Sequence, residues 1–473
     1  MNAFFAVLFV IFFYIICYPF AKNLQLCGYD TKFYFVHMFK LPYDFSGKTN
    51  LVWTKRMIRL AIVYLLVLLA ITLPYFILIF NFWWIALGVI IEFLLLPFIF
   101  VFTALVMHPC EAAIKKFYIK KACKVLQEFK GIKIAITGSF GKTSTKNFLA
   151  AFLKQKYKVC ATPQNFNTPM GLCRTALECL KPDDEVLIIE MGARHEGDIA
   201  ELMQMSQPQY GILTAIGEQH LQSFGSLEKI KKTKFELCEH MPKGGKVVFD
   251  YASEPTRELF EKFRGEKYLV GQKEGCCYIK DAKCSRRGSS FKLVIDGEEY
   301  KAKTKILGSA LLSDIATAAY MAHLLGVDVK KIVETISGLS PTPHRLQLIE
   351  NPFCTVIDDS YNCNLLGARQ ACECLKLFKG KKIVVSPGLV EQGDKQYELN
   401  YKLGKMIACC CDEFIIMNET NKTALTKGAL AGGMKKQNLH YAYSRKEQSQ
   451  ILKSLQEKSS VVLFENDLPD NFK

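Results

Sequence analysis

Apolar residues occur in two regimes along this chain. From Asn2 to Phe20 there is no charge, and from Leu60 to Met107 the only charge is Glu92. Runs of that length supply one span and then two more of roughly 20 residues each, so about three transmembrane helices are expected within 1–110. Pro74 and the Asn81-Phe82-Trp83-Trp84 stretch mark a turn near an interface, where Trp rings prefer to lie. A cleavable signal peptide competes for residues 1–20, but neither a basic n-region nor a small-x-small cleavage site is present.

Beyond residue 110 the pattern changes. Glu111 to Lys130 reads as an amphipathic linker helix, and from Ile132 short apolar runs alternate with helical segments. Strands are expected at 132–137, 186–190, 210–215, 246–249, 355–359, 382–386 and 413–417. Strands separated by helices imply parallel sheets with right-handed crossovers. Residues 265–306 are Gly-punctuated and alternating, which predicts a small antiparallel excursion; 309–338 reads as helical. Ser340-Pro341-Thr342-Pro343 marks a hinge, and a second α/β domain follows. The expected division is a membrane region 1–110, a linker helix 111–130, a central domain 131–338 and a C-terminal domain 339–473.

The 473 residues carry a net charge of +16, which raises nucleic acid as a partner. No aromatic-interleaved basic motif or recognised reader fold supports that, so no nucleic-acid partner is expected. The charge sits instead beside the apolar runs. Segment 21–59 holds Lys22, Lys32, Lys40, Lys48, Lys55, Arg56 and Arg59 against Asp30 and Asp44; Lys115, Lys116, Lys120, Lys121 and Lys124 follow the third run. Both segments belong in the cytoplasm, near anionic lipid, with the N-terminus outside. The 18 cysteines are scattered, without paired Cys-x2-Cys units; they read as reduced, mostly buried thiols, not as a metal site or disulfide framework.

The strongest chemical signal is Ile134-Ala135-Ile136-Thr137-Gly138-Ser139-Phe140-Gly141-Lys142-Thr143-Ser144. A buried strand, a glycine turn and a helix start in that order form a phosphate loop, here as Gly-x-x-Gly-Lys-Thr. Glycines admit backbone N–H groups close to phosphate oxygens, and the helix N-terminus adds partial positive charge. Lys142 neutralises terminal phosphates and the Thr143 hydroxyl can sit on Mg²⁺. Gly138, Ser139, Gly141, Lys142, Thr143 and Ser144 are therefore candidate ATP-binding residues. At the end of another buried strand, Glu190 points into the crevice where α/β sheets bind ligands, and its hard oxygens suit Mg²⁺.

Four further segments, Asn165-Phe166-Asn167-Thr168-Pro169-Met170-Gly171, Glu190 to Ile199, Gly217 to Ser226 and Lys232-Thr233-Lys234-Phe235-Glu236-Leu237, complete a pattern. With them the chain resembles the Mur ligase family of ATP-dependent amide-forming enzymes over roughly 131–470, and within it the D-alanyl-D-alanine-adding branch. The fold this implies is α/β: a P-loop parallel-sheet central ATPase domain and a C-terminal Rossmann-like domain, here preceded by transmembrane helices. The resemblance gives Asn167 an orienting role, and makes Glu190 and His220 ligands of two Mg²⁺ ions. Lys234 joins them if carbamylated, which converts a cation into an anionic ligand. It also assigns Arg345 to the ATP phosphates and Asp359 to the ribose, with Asn362 nearby. An arginine arriving from a second domain supplies its charge on closure.

The sequence also departs from the family. The adenine-contacting asparagine falls on Asp250, a His-Asn pair on Ala310-Leu311 and a later asparagine on Asp314; Leu365 stands where a proline is usual. Membrane spans stand where relatives carry a UDP-sugar domain. The expectation is an ATP- and Mg²⁺-dependent ligase of cell-wall precursor synthesis at a bacterial inner membrane, multi-pass, with cytoplasmic catalytic domains and with membrane proteins as further candidate partners. It activates a carboxylate as acyl phosphate for attack by an amino acid or dipeptide, D-Ala-D-Ala addition being the first choice. A lipid-linked or poly-γ-glutamate-type acceptor is the alternative. A nucleotide-regulated scaffold or transport ATPase is the rival class, disfavoured because switching needs no second metal.

Overall fold

The computed structural model describes residues 2–37, 51–78, 82–219, 221–271, 275–350, 353–361 and 364–467. His220 and Asn362 lie outside the described residues, as do Asn81 of the expected turn and Lys40, Asp44 and Lys48 of the basic segment. The chain forms two compact units, Met1–Phe117 and Tyr118–Asp467.

The first unit is helical. Among the described residues, three helices are long and apolar enough to cross a membrane: Phe4–Leu26, Lys55–Pro74 and Trp83–Glu128. The first is interrupted at Cys17, between Asn2–Ile16 and Tyr18–Leu26. The third apolar run and the expected linker are one continuous helix, Phe82–Glu128, with Pro97 and Pro109 inside it. Phe13, Cys17, Phe20, Tyr64, Leu68, Leu96 and Phe100 form the core between helices. Leu66, Leu94, Phe102 and Trp83 face outward, each more than half exposed. Apolar inside and outside is what a lipid environment permits. Glu92 is buried and accepts from the Thr72 hydroxyl at 2.8 Å. Toward the charged end, Arg59 makes a two-pronged contact with Glu111, both bonds 2.7 Å.

The second unit contains two sheets. The first is built from β1 (Ile132–Thr137), β2 (Val159–Ala161), β3 (Val186–Glu190), β4 (Tyr210–Leu213), β5 (Lys246–Asp250), β6 (Glu266–Val270), β7 (Cys277–Ser285), β8 (Gly288–Ile295) and β9 (Glu298–Thr304). Their spatial order is 2-3-1-4-5-6-7-8-9, parallel through β7 and antiparallel across β7, β8 and β9. β3 is buried at every position and β1 at all but its first, as expected of strands covered on both faces. The chain leaves β1 toward β2 on one side and later returns to β4 on the other. That reversal opens a crevice at the carboxyl ends of β1 and its neighbours, where ligands bind in such sheets. Residues 309–338 form two helices, Ser309–Leu324 and Val329–Gly338, separated near Gly326 at φ +76°.

The second sheet comprises β10 (Gln347–Glu350), β11 (Cys354–Asp359), β12 (Lys382–Ser386), β13 (Glu413–Met417), β14 (Leu439–Ala442) and β15 (Ser460–Glu465), in the order 10-11-15-12-13-14. β10 is antiparallel to β11 and the others are parallel. The last strand, β15, thus occupies the middle, between β11 and β12. Its Val461, Val462 and Leu463 are buried, so the carboxyl-terminal segment is part of this domain's core.

Helices Gln396–Ala408 and Lys422–Ala431 approach closely through glycines. A Cβ on Gly428 would lie 2.1 Å from the Tyr401 carbonyl oxygen, and one on Gly404 would lie 2.3 Å from that of Leu425. Ala is ordinarily the better helix former by about 0.5–1 kcal/mol. Gly428→Ala is nevertheless expected to destabilise this domain by about 1–3 kcal/mol, because two backbones must separate. Denaturant unfolding measures it, and unchanged or raised stability would refute the close packing.

Candidate active site

The phosphate loop joins β1 to helix Lys142–Leu153 at the crevice. Two glycines are required by their surroundings. Gly138 has φ +150°, and a Cβ there would fall 2.0 Å from Thr214 Oγ1; Gly141 has φ +78°, and its Cβ would fall 2.2 Å from Asp314 Oδ1. The turn is tied to β4, since Ser139 and Phe140 N–H both donate to the Ala215 carbonyl, at 2.9 and 3.1 Å. Those two donors are therefore scaffold. The following helix begins at Gly141 without a side-chain cap, leaving its N-terminal dipole to an anion. Lys142 Nζ folds onto the loop, donating to the Gly138 and Ser139 carbonyls at 2.8 and 3.0 Å. Its pKa is lowered to about 8, chiefly by burial and also by the Arg345 charge, against the opposing pull of Glu190 and Asp314.

Glu190 ends β3 beside this helix and is 2% exposed. One carboxylate oxygen accepts from Thr143 Oγ1 at 3.0 Å and pairs with Lys146 Nζ at 3.0 Å; the other accepts from Asn167 Nδ2 at 3.2 Å. Three predicted residues, Thr143, Asn167 and Glu190, are thus brought together. Lys146 escaped notice in the sequence, although its spacing of four from Lys142 puts both on one face of the helix. It is fully buried, and it also donates to the Gln164 carbonyl. The Thr143 hydroxyl and the Glu190 carboxylate are hard oxygen donors converging within hydrogen-bond distance, a set that fits Mg²⁺. Ser144 is buried behind the loop.

Lys234, on helix Leu227–Glu239, is 4% exposed, and among the described residues its amine has no hydrogen-bond or ion-pair partner. Burial pushes its pKa down to about 7, and the Lys142 charge adds to the effect. Two residues along, Glu236 accepts from Gly197 and Ala200 N–H at 2.7 and 2.9 Å, so it caps helix Asp198–Ser206 after the Glu190 loop. His195 is exposed, its backbone held by Asp198 at 2.9 Å.

Asp250 and Asp314, two of the family departures, are buried carboxyls near this site. Asp250 accepts from Ser313 Oγ at 2.8 Å and from Ala252 N–H at 3.0 Å, and burial raises its pKa to about 6. Burial raises Asp314 well above the carboxylate range, and the charge of Asp250 adds to that. The Asp314 carboxylate sits directly under Gly141 of the phosphate loop.

The C-terminal domain supplies the rest. Arg345 follows His344, at φ +62°, and precedes Leu346, at φ +46°. Its guanidinium stacks 4.6 Å from the Tyr361 ring centroid, and its charge reaches Lys142 and Asp314. Tyr361 in turn accepts from Asn165 Nδ2 at 2.9 Å across the domain boundary. Asn147 donates to Thr342 Oγ1 at 3.1 Å. Asp359 ends β11, where its carboxylate accepts from Leu346 N–H at 3.0 Å. Desolvation there raises its pKa to about 6, against the pull of Arg345.

A phosphate loop, a strand-end carboxylate and an arginine from a second domain form a site suited to phosphoryl transfer from a nucleotide. The chain matches the model of the Mur ligase middle domain over residues 136–322. Its similarity lies in the D-alanyl-D-alanine-adding branch. It is 28% identical to the UDP-N-acetylmuramoyl-tripeptide–D-alanyl-D-alanine ligase of Bacillus subtilis, over 72% of this chain and 74% of that protein. To the enzyme of the same name from Mycobacterium tuberculosis it is 32% identical, over 51% of this chain and 48% of that one. It thus spans about half the length of the mycobacterial relative. The MurF ligase of Thermotoga maritima, solved in complex with ADP, superposes with a TM-score of 0.68 at 26% identity, over 76% of this chain and 81% of that one. A MurF from Acinetobacter baumannii shares the fold, with a TM-score of 0.69 at 23% identity over 75% and 77%.

Lys146→Met strands a buried carboxylate without its cation and is expected to cost about 3–5 kcal/mol of stability. Adding Glu190→Gln should recover part of that loss in a denaturant titration. Additive losses in the double variant would show that the two side chains act independently.

Proposed function

We propose that this chain joins D-alanyl-D-alanine to the terminal carboxylate of a peptidoglycan precursor peptide at the expense of ATP. The observation that carries the reading is the cluster of Thr143, Lys146, Asn167 and Glu190 directly beside the phosphate loop, with Arg345 arriving from the second domain. A carboxylate oxygen of the acceptor attacks the γ-phosphorus of ATP, and ADP leaves. The amine then attacks the acyl carbon, loses a proton, and expels inorganic phosphate as the amide forms.

Catalysis of the first step is mainly positioning and charge stabilisation. The uncapped start of helix Lys142–Leu153 and the backbone at Gly138, Gly141 and Ser144 cradle phosphate, while Ser139 braces the loop against Ala215, and Lys142 swings from its loop carbonyls onto the transferred group. Arg345 adds a second cation upon closure. Asn167 orients the Glu190 carboxylate, and Asp359 takes the ribose. Thr143 and Glu190, together with the sequence-assigned His220 and Lys234 if carbamylated, would hold Mg²⁺, which would supply charge neutralisation to the phosphates. Excluding water protects the acyl phosphate from hydrolysis.

The three apolar helices favour a second element of the reading. Anchored by them, the catalytic unit works at the inner face of a bacterial membrane, beside lipid-linked as well as soluble acceptors. Purified full-length protein is expected to release phosphate from ATP only when a precursor peptide and D-alanyl-D-alanine are both present. Lys142→Ala should lower that rate by at least about a hundredfold, by analogy with other lost oxyanion contacts. Turnover indifferent to acceptor and amine would refute ligation. A rate supported by a lipid-linked acceptor and not by its UDP-linked form would move the substrate to the membrane.

The lowered pKa of Lys234 has a direct consequence. A lysine that loses its proton near 7 is largely a neutral nucleophile at about pH 8, where a solvent lysine is still protonated. At fixed dissolved ¹³CO₂, a carbamate carbon signal should therefore strengthen as pH rises through about 7 and vanish in Lys234→Arg. A silent spectrum at about pH 8 would remove Lys234 from the metal-holding set.

A further inference from the structure

The loop between β12 and helix Gln396–Ala408 is fixed by buried amides that the chemistry above does not use. Asn400, Asn421 and Gln392 are 0%, 3% and 4% exposed. Asn400 accepts from Leu389 N–H at 2.8 Å and donates to the Leu389 carbonyl at 2.9 Å. Asn421 donates to the Pro387 and Leu389 carbonyls, both at 2.9 Å, and Asn466 donates to that of Gly388 at 2.7 Å. Gln396 donates to Asn421 Oδ1 at 2.7 Å. Buried amides are costly unless satisfied, and such a network fixes one backbone path.

That path holds Glu391 at φ +61°, a conformation uncommon outside glycine. The twist aims the loop at the central domain. The Glu391 carbonyl accepts from Gln222 N–H at 2.9 Å, and its carboxylate lies 3.6 Å from Arg194. Lys395 forms an ion pair with Glu218. A Cβ on Gly393 would sit 3.6 Å from the Gln222 Cα, so the backbones nearly touch. One loop of the C-terminal domain therefore holds Glu218, Gln222 and, through Arg194, the loop that follows Glu190.

We infer that Glu391 and Lys395 are positioning residues, which on domain closure fix Glu218, Gln222 and the Arg194 loop at the edge of the crevice. They touch neither the phosphate loop nor Glu190; they act through the two segments they hold. Strain concentrated at one non-glycine residue on an over-determined loop is the usual mark of a built functional contact. The inference rests on the ligase reading, in which closure precedes phosphoryl transfer, but its test does not depend on the acceptor.

The test uses full-length protein in detergent micelles with magnesium and a non-hydrolysable ATP analogue, whose affinity is measured separately. Hydrogen exchange in the peptide spanning 217–226 should slow on addition of the analogue. In Lys395→Glu, which sets two carboxylates against each other, that slowing should shrink by on the order of fivefold or more. The swap Lys395→Glu with Glu218→Lys should restore it. Glu391→Gly, which relieves the positive φ but removes the carboxylate, should lose about as much as Arg194→Ala, and the two together no more than either. In turnover, Lys395→Glu should lower kcat while KM for ATP stays within about twofold, because the nucleotide contacts remain. Unchanged protection in Lys395→Glu, failure of the swap to restore it, or absence of any slowing in the parent protein would each overturn the inference. Normal protection without ligation on any acceptor would leave it standing and remove the ligase reading instead.

Discussion

A carboxylate buried at the end of β3 is the constraint around which the catalytic unit is arranged. Glu190 is almost wholly removed from water, yet three polar side chains reach it from two different elements. An unpaired buried charge is among the most destabilising features a fold can contain. Lys146 offsets it from the phosphate-loop helix, so the helix and β3 are held in register by charge as well as by packing. The same arrangement sets Thr143 against Glu190 and turns Lys142, one helical turn earlier, toward the crevice. The stabilising pair and the chemical site are thus built from one short helix.

Charge also explains the company that site keeps. Lys142, Lys146, Lys234 and Arg345 converge where a polyanionic nucleotide is to bind, and burial with mutual repulsion depresses Lys142 and Lys234. Two carboxyls that could have attracted them, Asp250 and Asp314, are pushed upward by desolvation. Basic side chains thus gather where phosphate is to bind. Arg345 brings the last cation from the C-terminal domain, and polar contacts join that domain to the central one: Asn147 to Thr342, Asn165 to Tyr361, and the grip of the 387–395 loop. Apolar packing joins the two domains as well, since Leu346 and Cys374 of the C-terminal domain lie against Gly308 of the central one.

Much of this was legible in the sequence, for identifiable reasons. β1, β3 and β12 are short runs of Val, Ile and Leu between turn residues, and a fully buried parallel strand needs nothing else. Gly138 and Gly141 could be read because only a side chain without Cβ tolerates the positions they occupy. Glu190 followed from its place at a strand end. The strands without a local signal are different in kind. β2 has three residues, β10 pairs antiparallel at an edge, and β14 mixes polar with apolar positions. β15 is as apolar as its neighbours, but its place between β11 and β12 depends on pairing with strands distant in the chain.

The sequence by itself determined the types of element, the apolar spans, the phosphate loop and the family resemblance, because periodicity and local turn chemistry act over a few residues. What only the tertiary structure decided is which side chains face one another. Lys146 is an ordinary helical lysine until β3 brings Glu190 beside it. Lys234 has a depressed pKa because the fold removes its water, and Glu391 adopts a left-handed backbone because buried asparagines from three separate segments leave it no alternative. Burial and long-range pairing fix those properties, and neither is written in any local run of residues.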